Sequence, residues 1–597
     1  MSTDAKRAPR RAKKLSMAEE GLANGFKSDA EGVVEGMTQT MSRRNFLVGA
    51  LTATAAVSSA ALVGCGGTPR DKTAEGEGGS GSATATDWLG TEPVIDTIDE
   101  TIETEIVVAG GGTGGLFAAC AAAEEGAKVV VLEKSSFGGG VRDNIAALNS
   151  RLQQESGTVI DKEDLLLEMT RYANGQCDAR LHRLWADISG EMVDWYQDRI
   201  EERGLELFHE ADFTNHQSLY KHYATGHIPS WPADAEFAGI PVDVNGKNVL
   251  GDYARAQGAE IMFETRMIKL VKEGDRVSGV IAEDGDGRHI QINASKGVVV
   301  ATGGYAWNQD MLNALQPHTQ NMYSLCIAVP GTEGDGIKAC LWAGAKMDDT
   351  HLGMVFDRVA VKPDEFGGHE TTGKMMWIGS NPWLKVNLRG ERYCNESSPY
   401  SYCVQAATTQ PNNTFCTIWD SDWEQYVAQF DIHGCARVVP FDNGAPTNVP
   451  LEAEKAMNAE LIEEGFIQQA DTIEELAQKL NIPVDAFAAT VARQNENFDN
   501  KVDPDFGKES FRLSALRTPP FFGARTSGYL LCTLDGIQIN TDVQAVDADG
   551  KAIEGLYVVG NDSGSYYSNV YPNLSTGNAA GRTCAFGRRA GKLLAAK

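Results

Sequence analysis

The most constraining feature of this sequence is a glycine-rich turn between an apolar run and an alanine-rich run. Residues 105–109 read EIVVA, residues 110–115 read GGGTGG, and the alanine-rich stretch follows directly. β-Branched residues favour a strand and alanine favours a helix, so the pattern predicts a strand, a tight turn and a helix. Gly110 allows the tight turn, Gly112 lets a phosphate approach the backbone, and Gly115 lets the helix pack closely on the strand.

A second apolar run follows the predicted helix and ends in an acid. Residues 128–132 read KVVVL and lead to Glu133, about twenty residues after the glycines. In a Rossmann-type unit, such an acid binds the ribose hydroxyls, while amides at the helix N-terminus bind the pyrophosphate. The pattern therefore predicts dinucleotide binding by Gly110, Gly112, Thr113, Gly114, Gly115, Glu133, Lys134, Gly139 and Gly140.

Later glycine turns favour FAD over NAD as the dinucleotide. Residues 297–304 read GVVVATGG, which predicts a buried strand and a second turn, and residues 331–336 read GTEGDG. Residues 555–560 read GLYVVG, and residues 575–580 are predicted to open a helix whose positive end faces the flavin pyrimidine edge. The further FAD contacts predicted from these turns are Ala301, Thr302, Gly303, Asp335, Gly560, Asn561, Ser575 and Thr576.

Length and composition limit the classes of function. A chain of 597 residues with 42% hydrophobic and 23% charged residues is typical of a globular protein of several domains. Its formal net charge of −29 repels phosphate backbones, so nucleic acid is not an expected partner. The 11 cysteines are scattered without a CxxC or CxxCH pattern, which disfavours a compact zinc site and covalently attached haem.

The first hundred residues indicate export. Residues 42–47 read SRRNFL and precede a mildly apolar run, which is the pattern of a twin-arginine signal. The run ends in LVG before Cys65, which resembles a lipobox and predicts a lipidated cysteine. An ordinary cleavage site with an incidental cysteine is the alternative, and Met41 is an alternative start. We interpret residues 1–65 as the signal region and residues 66–100 as a flexible linker.

From about residue 103 to residue 592 the chain resembles the flavoprotein family of soluble fumarate reductases, urocanate reductases and 3-ketosteroid Δ1-dehydrogenases. The resemblance implies an α/β fold: a Rossmann-type FAD-binding domain, formed by residues 101–334 and 516–597, with an inserted α+β capping domain at residues 335–515. The residues that carry the resemblance are the glycine turns above, GERYCNE at residues 390–396, and the run from Thr576 to Gly591.

The resemblance also implies a candidate proton donor. Fumarate reductases of this family carry a proton-donating arginine four residues after the glutamate of GxRFxNE. Here that glutamate is Glu396 and the position is Tyr400, where the ketosteroid dehydrogenases also carry a tyrosine. A tyrosine hydroxyl with a pKa near 10 keeps its proton at pH 7 and can donate it to an enolate. The alternative is that Tyr400 only packs its ring near the capping domain.

A second departure from the fumarate reductases concerns the substrate. Residues 565–575 read SYYSNVYPNLS where those enzymes carry the His and Arg that clamp a carboxylate. Tyr571 and the backbone N–H of Ser575 instead resemble the pair that holds the substrate carbonyl oxygen in ketosteroid dehydrogenases, an oxyanion hole. A dicarboxylate would lose its ion pairs, so an enoate or enone is expected. His351 is out of register with the family histidine, and we interpret it as a surface or hinge residue.

The predicted reaction is reduction of a carbon–carbon double bond conjugated to a carbonyl. The resemblance implies hydride transfer from flavin N5 to the β-carbon and a proton from Tyr400 to the α-carbon. Electrons are expected from a separate membrane protein, such as a cytochrome or a flavoprotein. Two alternatives stay open: a ketosteroid-type dehydrogenase that runs the reverse reaction, and a non-catalytic flavoprotein that relays electrons at the membrane.

Overall fold

The computed structural model describes residues 88–136, 144–210, 218–230, 246–430, 436, 438, 449–568 and 570–597, without the side chains at positions 230, 246–248 and 400. The predicted signal region with Cys65 and the candidate FAD contacts Gly139 and Gly140 lie outside these residues. Within them, no helix is both long enough and apolar enough to cross a membrane.

The strands are β1 (Glu100–Ala109), β2 (Val129–Leu132), β3 (Ile145–Ala146), β4 (Glu206–His209), β5 (Gly226–Ser230), β6 (Glu260–Met262), β7 (Arg266–Glu273), β8 (Arg276–Glu283), β9 (His289–Val300), β10 (Tyr323–Cys326), β11 (Gly353–Val361), β12 (Lys374–Met375), β13 (Leu384–Asn387), β14 (Phe415–Asp420), β15 (Ile467–Ala470), β16 (Phe521–Thr533), β17 (Gln544–Val546) and β18 (Ala552–Val558).

The α-helices are α1 (Thr113–Glu124), α2 (Arg151–Ser156), α3 (Lys162–Tyr172), α4 (Ala179–Glu201), α5 (Gly246–Ala256), α6 (Gln309–Leu315), α7 (Asp335–Trp342), α8 (Tyr400–Ala407), α9 (Trp423–Gln429), α10 (Leu451–Glu463), α11 (Ile473–Lys479), α12 (Val484–Asn500) and α13 (Asn578–Ala595).

The first sheet joins distant parts of the chain. Its strand order is β17-β18-β9-β1-β2-β6, with the β7–β8 hairpin attached to β9. Strands β18, β9, β1, β2 and β6 are parallel. In the register Ala109 lies opposite both Leu132 and Val300, and Val300 lies opposite Val558, so these strands end at one edge. Ligands of open parallel sheets bind at this carboxyl edge, where the glycine turns after β1, β9 and β18 emerge.

Helices α1 and α13 lie against each other because small residues face across their contact. A Cβ atom at Gly587 would lie 2.3 Å from the carbonyl oxygen of Gly114, and one at Gly591 would lie 2.2 Å from that of Ala118. Any larger side chain at either glycine would separate the helices. The glycines of α13 therefore fix the position of its N-terminus beside the first glycine turn.

A second sheet belongs to the capping region. Its order is β12-β11-β16-β14-β13, and β10 and β15 also pair with β16. Helices α9 and α10 contribute Tyr426 and Leu461 to a core that contains Trp383. Helices α11 and α12 contribute Leu476 and Phe487 to a neighbouring core. The sheet extends beyond the predicted limits of 335 and 515, because β10 and β16 lie outside them. A small third sheet has the order β3-β5-β4.

In the capping region, α11 and α12 are separate helices, since Asn481 between them has a φ of +53° and Pro483 occupies the N-cap of α12. The end of the predicted linker is held against the first sheet: Lys269 Nζ lies 2.6 Å from the Glu92 carboxylate and 3.2 Å from the Pro93 carbonyl oxygen. The part of the linker that the structure describes is therefore anchored.

Candidate active site

The first glycine turn has the geometry of a phosphate cradle. Gly110 has a φ of +111°, and a Cβ atom there would lie 2.2 Å from the carbonyl oxygen of Ala301. A Cβ atom at Gly115 would lie 1.8 Å from the carbonyl oxygen of Gly110, so the helix could not start so close to the strand with a larger residue. At Gly112, the N-cap of α1, the corresponding position is open space among the described residues, and Gly112 has no side chain with which to cap the helix. The backbone at Gly112 therefore leaves room for an anion at the start of α1.

Glu133 is fixed beside this turn. Its Oε2 accepts a hydrogen bond from the Gly111 N–H at 3.0 Å, and its Oε1 accepts from the N–H and hydroxyl of Ser135 at 2.9 and 2.7 Å. These bonds orient the carboxylate at the end of β2. In Rossmann-type units the acid that binds the ribose hydroxyls lies at this position, at the end of the second strand.

Lys134 and Asp335 contact each other directly. Lys134 Nζ lies 2.9 Å from the Asp335 carboxylate, and Arg266 lies 2.5 Å from its other oxygen. Burial acts to raise the pKa of Asp335, but Arg266 and Lys134 hold that pKa below its ordinary value. This ion-pair cluster joins the end of β2 to the start of α7, so both residues are engaged with the protein chain itself.

Asp562 is a buried residue that sequence reasoning missed. Its Oδ2 accepts from the N–H and hydroxyl of Thr302, the latter at 2.8 Å, and its Oδ1 accepts from the Gly304 N–H at 2.8 Å. Burial raises the pKa of Asp562, although these hydrogen bonds act to lower it. The carboxylate thus fixes the 301–304 turn, in which Gly303 has a φ of +99°. The only signal in the sequence was an acid two residues after Gly560, in the turn that follows β18.

Gly560 and Asn561 lie beside both the 110–115 turn and the 301–304 turn. Gly560 has a φ of +66°, and the position of a Cβ at Gly304 is 3.2 Å from the Cβ of Asn561. A Cβ at Gly114 would contact Val559 at 3.1 Å. The predicted contact residues of these segments therefore surround one region at the carboxyl edge of the sheet.

The N-terminus of α13 completes the cradle. Gly577 caps it with a φ of +81°, and a Cβ there would lie 2.7 Å from the carbonyl oxygen of Asn144. Two buried side-chain oxygens here, Thr576 Oγ1 and Asn144 Oδ1, have no hydrogen-bond partner among the described residues. A polar ligand edge would satisfy them, since orphaned buried polar atoms are costly. The open turn at Gly112 and these oxygens together fit FAD, whose pyrophosphate and flavin they would hold.

The structure brings the start of α8 next to the 571–575 segment. Tyr400 is the first residue of α8 and follows Pro399. The Asn573 side-chain amide donates to the hydroxyl of Ser401 at 3.4 Å. The Tyr400 side chain is not among the described ones, so its orientation and its role stay a prediction. The contact nevertheless joins two elements that the sequence separates by about 170 residues.

The two predicted oxyanion-hole residues differ in their geometry. The Tyr571 hydroxyl accepts a hydrogen bond from the Ala579 N–H at 3.2 Å, in the first turn of α13. The Ser575 N–H, however, donates to the Pro572 carbonyl oxygen at 3.0 Å. The Ser575 hydroxyl lies 3.2 Å from Thr225 Oγ1. The Ser575 N–H is thus engaged within its own turn, which does not favour the predicted contact with a substrate oxygen.

A buried arginine lies beneath two tyrosine rings near this segment. The guanidinium of Arg582 lies 5.2 Å from the centre of the Tyr566 ring and 5.1 Å from that of Tyr567. It also donates to the carbonyl oxygens of Gly560 and Ser563. Arg582 is 1% exposed, so it serves the protein interior and is not presented to a carboxylate ligand.

His351 is more than a surface residue. Its Nδ1 lies 2.6 Å from the carboxylate of Asp535, which is buried and also accepts from the Tyr305 hydroxyl at 2.7 Å. Burial acts to lower the pKa of His351, but the hydrogen bond to Asp535 raises it above the ordinary value. Nearby, burial raises the pKa of Asp348 to about 7. Asp348 accepts from the Ser565 N–H at 2.9 Å, so this acidic cluster positions the loop before Tyr566.

Comparison with known proteins agrees with this geometry. Residues 105–577 match a family described as FAD binding domain. Vinyl phenol reductase of Lactiplantibacillus plantarum is 28% identical over 75% of this chain and 87% of that protein. NADH:acrylate oxidoreductase of Vibrio harveyi is 26% identical over 68% of this chain, which spans 36% of that longer protein.

A solved structure shows the same fold. The 3-ketosteroid Δ4-(5α)-dehydrogenase of Rhodococcus jostii RHA1, in complex with 4-androstene-3,17-dione, matches 84% of this chain and 98% of its own with a TM-score of 0.61 and 21% identity. The expected α/β fold with a Rossmann-type FAD-binding domain and an inserted cap is confirmed. The chain belongs to this FAD-binding family and is an FAD-dependent oxidoreductase that acts on CH–CH groups.

Proposed function

We propose that this protein is an exported reductase of a carbon–carbon double bond conjugated to a carbonyl group, in an enoate or an enone. The observation that carries the proposal is the contact between α8 and the 571–575 segment beside the FAD cradle. Tyr400 begins α8, and Tyr571 belongs to the segment that α8 contacts. The candidate proton donor and the candidate carbonyl-binding residue thus belong to neighbouring elements.

Two protein groups have distinct tasks in the proposed reaction. When bound, FAD supplies a hydride from N5 to the β-carbon. Tyr400 donates its phenolic proton to the α-carbon, and the neutral phenol keeps this proton at pH 7. Tyr571 holds the substrate carbonyl oxygen, because its own oxygen is fixed at the N-terminus of α13. The positive end of this helix favours the negative charge that develops on the carbonyl oxygen.

The charges near the 571–575 segment support a substrate without two carboxylates. Arg582 is covered by Tyr566 and Tyr567, and both of its terminal nitrogens donate to carbonyl oxygens, so a bidentate clamp on a carboxylate through these nitrogens would break both bonds. Aromatic rings and backbone amides suit an aryl or monocarboxylate substrate better. The names of two relatives agree with a substrate that lacks two carboxylates, since acrylate carries one and vinyl phenol carries none; of the two, only acrylate has the conjugated carbonyl group.

Electrons for the proposed reaction come from a separate membrane protein. The twin-arginine motif and Cys65 place the enzyme outside the cytoplasm, attached to the membrane by lipid. Neither the motif nor the cysteine lies among the described residues, and the sequence alone supports this step. A membrane cytochrome or flavoprotein that oxidises quinol would be the electron donor.

The test is a reoxidation assay with the FAD-loaded protein. Anaerobic protein is reduced with a reduced viologen, mixed with an alkene, and followed by the return of flavin absorbance. The panel contains acrylate, a cinnamate, an enone, 4-vinylphenol and fumarate. We expect at least one enoate or enone to reoxidise the flavin at least tenfold faster than fumarate does. Reoxidation only by fumarate would contradict the substrate class, and failure of every alkene would favour the relay function.

The direction of the reaction needs a second arm. The oxidised protein is mixed anaerobically with the saturated product, without any other electron acceptor. If this product bleaches the flavin faster than the alkene reoxidises the reduced flavin, the dehydrogenase alternative replaces the proposed reductase. 4-Vinylphenol serves as the control for the carbonyl group, because it offers a conjugated double bond without one.

A further inference from the structure

Two cysteine thiols lie in contact on either side of Tyr400. The sulfur atoms of Cys394 and Cys403 are 3.9 Å apart, and the residues are nine positions apart in the chain. Cys394 is half-buried and follows β13, whereas Cys403 is buried within the first turns of α8. The loop between them contains Pro399 and the candidate proton donor.

The backbone around both thiols is fixed by other contacts. The Tyr393 hydroxyl donates to the carbonyl oxygen of Cys403 at 3.1 Å. Glu396 is buried between Arg392 at 2.7 Å and Lys508 at 3.3 Å. Burial acts to raise the pKa of Glu396, but the charges of Arg392 and Lys508 lower it to about 2, so the anchor stays ionised at neutral pH. The two sulfur atoms are therefore held next to each other by the fold.

We propose that Cys394 and Cys403 form a disulfide that closes the loop carrying Tyr400. A disulfide requires a sulfur–sulfur distance of about 2.05 Å. The shift of roughly 2 Å from the present contact is within the reach of rotation about the Cα–Cβ bonds, because staggered rotamers of a cysteine place its sulfur at different points around Cβ. The pair is close in sequence and already in contact, so little loop-closure entropy opposes the bond.

The oxidant is a disulfide compound or a protein disulfide that exchanges with the thiols. Cys394 is the more accessible thiol, and as the thiolate it attacks one sulfur of the oxidant and releases a first thiol. The hydrogen bond to Cys394 and burial raise the pKa of the Cys403 thiol, so Cys403 attacks second. It displaces the oxidant's remaining sulfur from Cys394 and forms the internal disulfide. The two protons and two electrons of the cysteines end on the two thiols of the reduced oxidant.

The bond would link the first turn of α8 to the anchored Glu396 segment. Helix termini fray, and a helix that begins at the candidate proton donor has that residue in its least stable turn. Cross-linking this turn restricts the motion of the loop in both the free and the reacting enzyme. The proposal concerns the covalent state of the chain and does not depend on the proposed substrate.

The experiment maps thiols in the full chain with bound FAD. The protein is incubated with oxidised glutathione, its remaining thiols are blocked with N-ethylmaleimide, and the chain is cleaved after glutamate. Cleavage after Glu396 separates Cys394 from Cys403, so a disulfide keeps two peptides together until dithiothreitol is added. We expect the linked pair in the wild type and its loss in Cys394→Ser and Cys403→Ala, while Cys177→Ser, which removes a half-buried thiol elsewhere, retains it.

The flavin spectrum, recorded before blocking, shows that the oxidised sample is folded. Alkylated Cys394 and Cys403 in folded wild-type protein, after oxidation that reaches equilibrium, would overturn the proposal. Disulfides that link Cys403 to several different cysteines in equal amounts would also overturn the proposal. Since the decisive observation is made on the wild type, a variant that fails to fold does not affect it.

Discussion

Replacing Asp562 by alanine tests whether one buried carboxylate holds the 301–304 turn that faces the FAD cradle. In the wild type this carboxylate accepts three hydrogen bonds, from the N–H and hydroxyl of Thr302 and from the N–H of Gly304. Asp562→Ala removes both acceptor oxygens and, with them, all three hydrogen bonds. The donors are then left without partners in a region that is closed to water, since Asp562 is 0% exposed.

The magnitude follows from the cost of orphaned donors. Each buried donor without an acceptor costs about 1–3 kcal/mol. Part of this cost is offset, because the substitution also removes a carboxylate that is buried away from water. We expect a loss of roughly 3 kcal/mol in the free energy of unfolding, measured by urea denaturation with saturating FAD. Because the turn lines the cradle, we also expect FAD to bind at least about tenfold more weakly, which corresponds to about 1.4 kcal/mol.

The control is Asp549→Ala, which removes an exposed carboxylate from a turn between β17 and β18 and should change stability by no more than about 0.5 kcal/mol. FAD fluorescence quenching gives the dissociation constant for both variants. If Asp562→Ala bound FAD with wild-type affinity and unfolded at the wild-type urea concentration, the assigned role of this carboxylate would be wrong.

Three further outcomes are expected. Tyr400→Phe should leave flavin reduction by an artificial donor unchanged and slow reoxidation by the substrate about 10²-fold or more; reoxidation at the wild-type rate would transfer the proton donor to another group. In the capping region, burial raises the pKa of the Glu454 carboxyl to about 8. An acid whose pKa is higher in the folded than in the unfolded protein makes the folded state less stable as the pH rises through this range. The free energy of unfolding of Glu454→Gln, relative to that of the wild type, should therefore increase by up to about 5 kcal/mol between pH 4.5 and 8. Unfolding titrations at several pH values measure this difference, and a difference that does not change with pH would contradict the prediction. Cys65→Ala should release the protein from membrane fractions of the native host, whereas unchanged retention would exclude the lipid anchor.

The local part of the FAD site could be predicted from the sequence. The turn at Gly110, the helix after it and Glu133 lie within one short unit, where Gly110 and Gly115 each meet a backbone contact that excludes a larger residue. The predicted strand, helix and second strand agree with β1, α1 and β2 to within a few residues. The start of β1 differs most, at Glu100 instead of Glu105, because pairing with β9 extends that strand.

The long-range part could not be predicted. Asp562 acts on Thr302 across 260 positions of the chain, and the ion pair of Asp335 with Arg266 depends on how α7 meets β7. The sequence around Asp562 does not distinguish it, and the glycine turn that indicated Asp335 does not reveal Arg266 as its partner. The engaged N–H of Ser575 also follows from a turn at Pro572, which a family resemblance does not reveal.

The composite first sheet has a consequence for how the protein is made. Strand β9 pairs with β18, whose register begins at Leu556, more than 250 residues downstream of Val298. At about 5–20 residues per second, a ribosome needs at least roughly 13 seconds to synthesise that interval. During this time residues 298–300 of β9 have no native neighbour on the side that β18 later covers, and unpaired strand edges invite aggregation. Nascent chains of this protein should therefore depend on chaperones, and FAD can be captured only after synthesis of the cap.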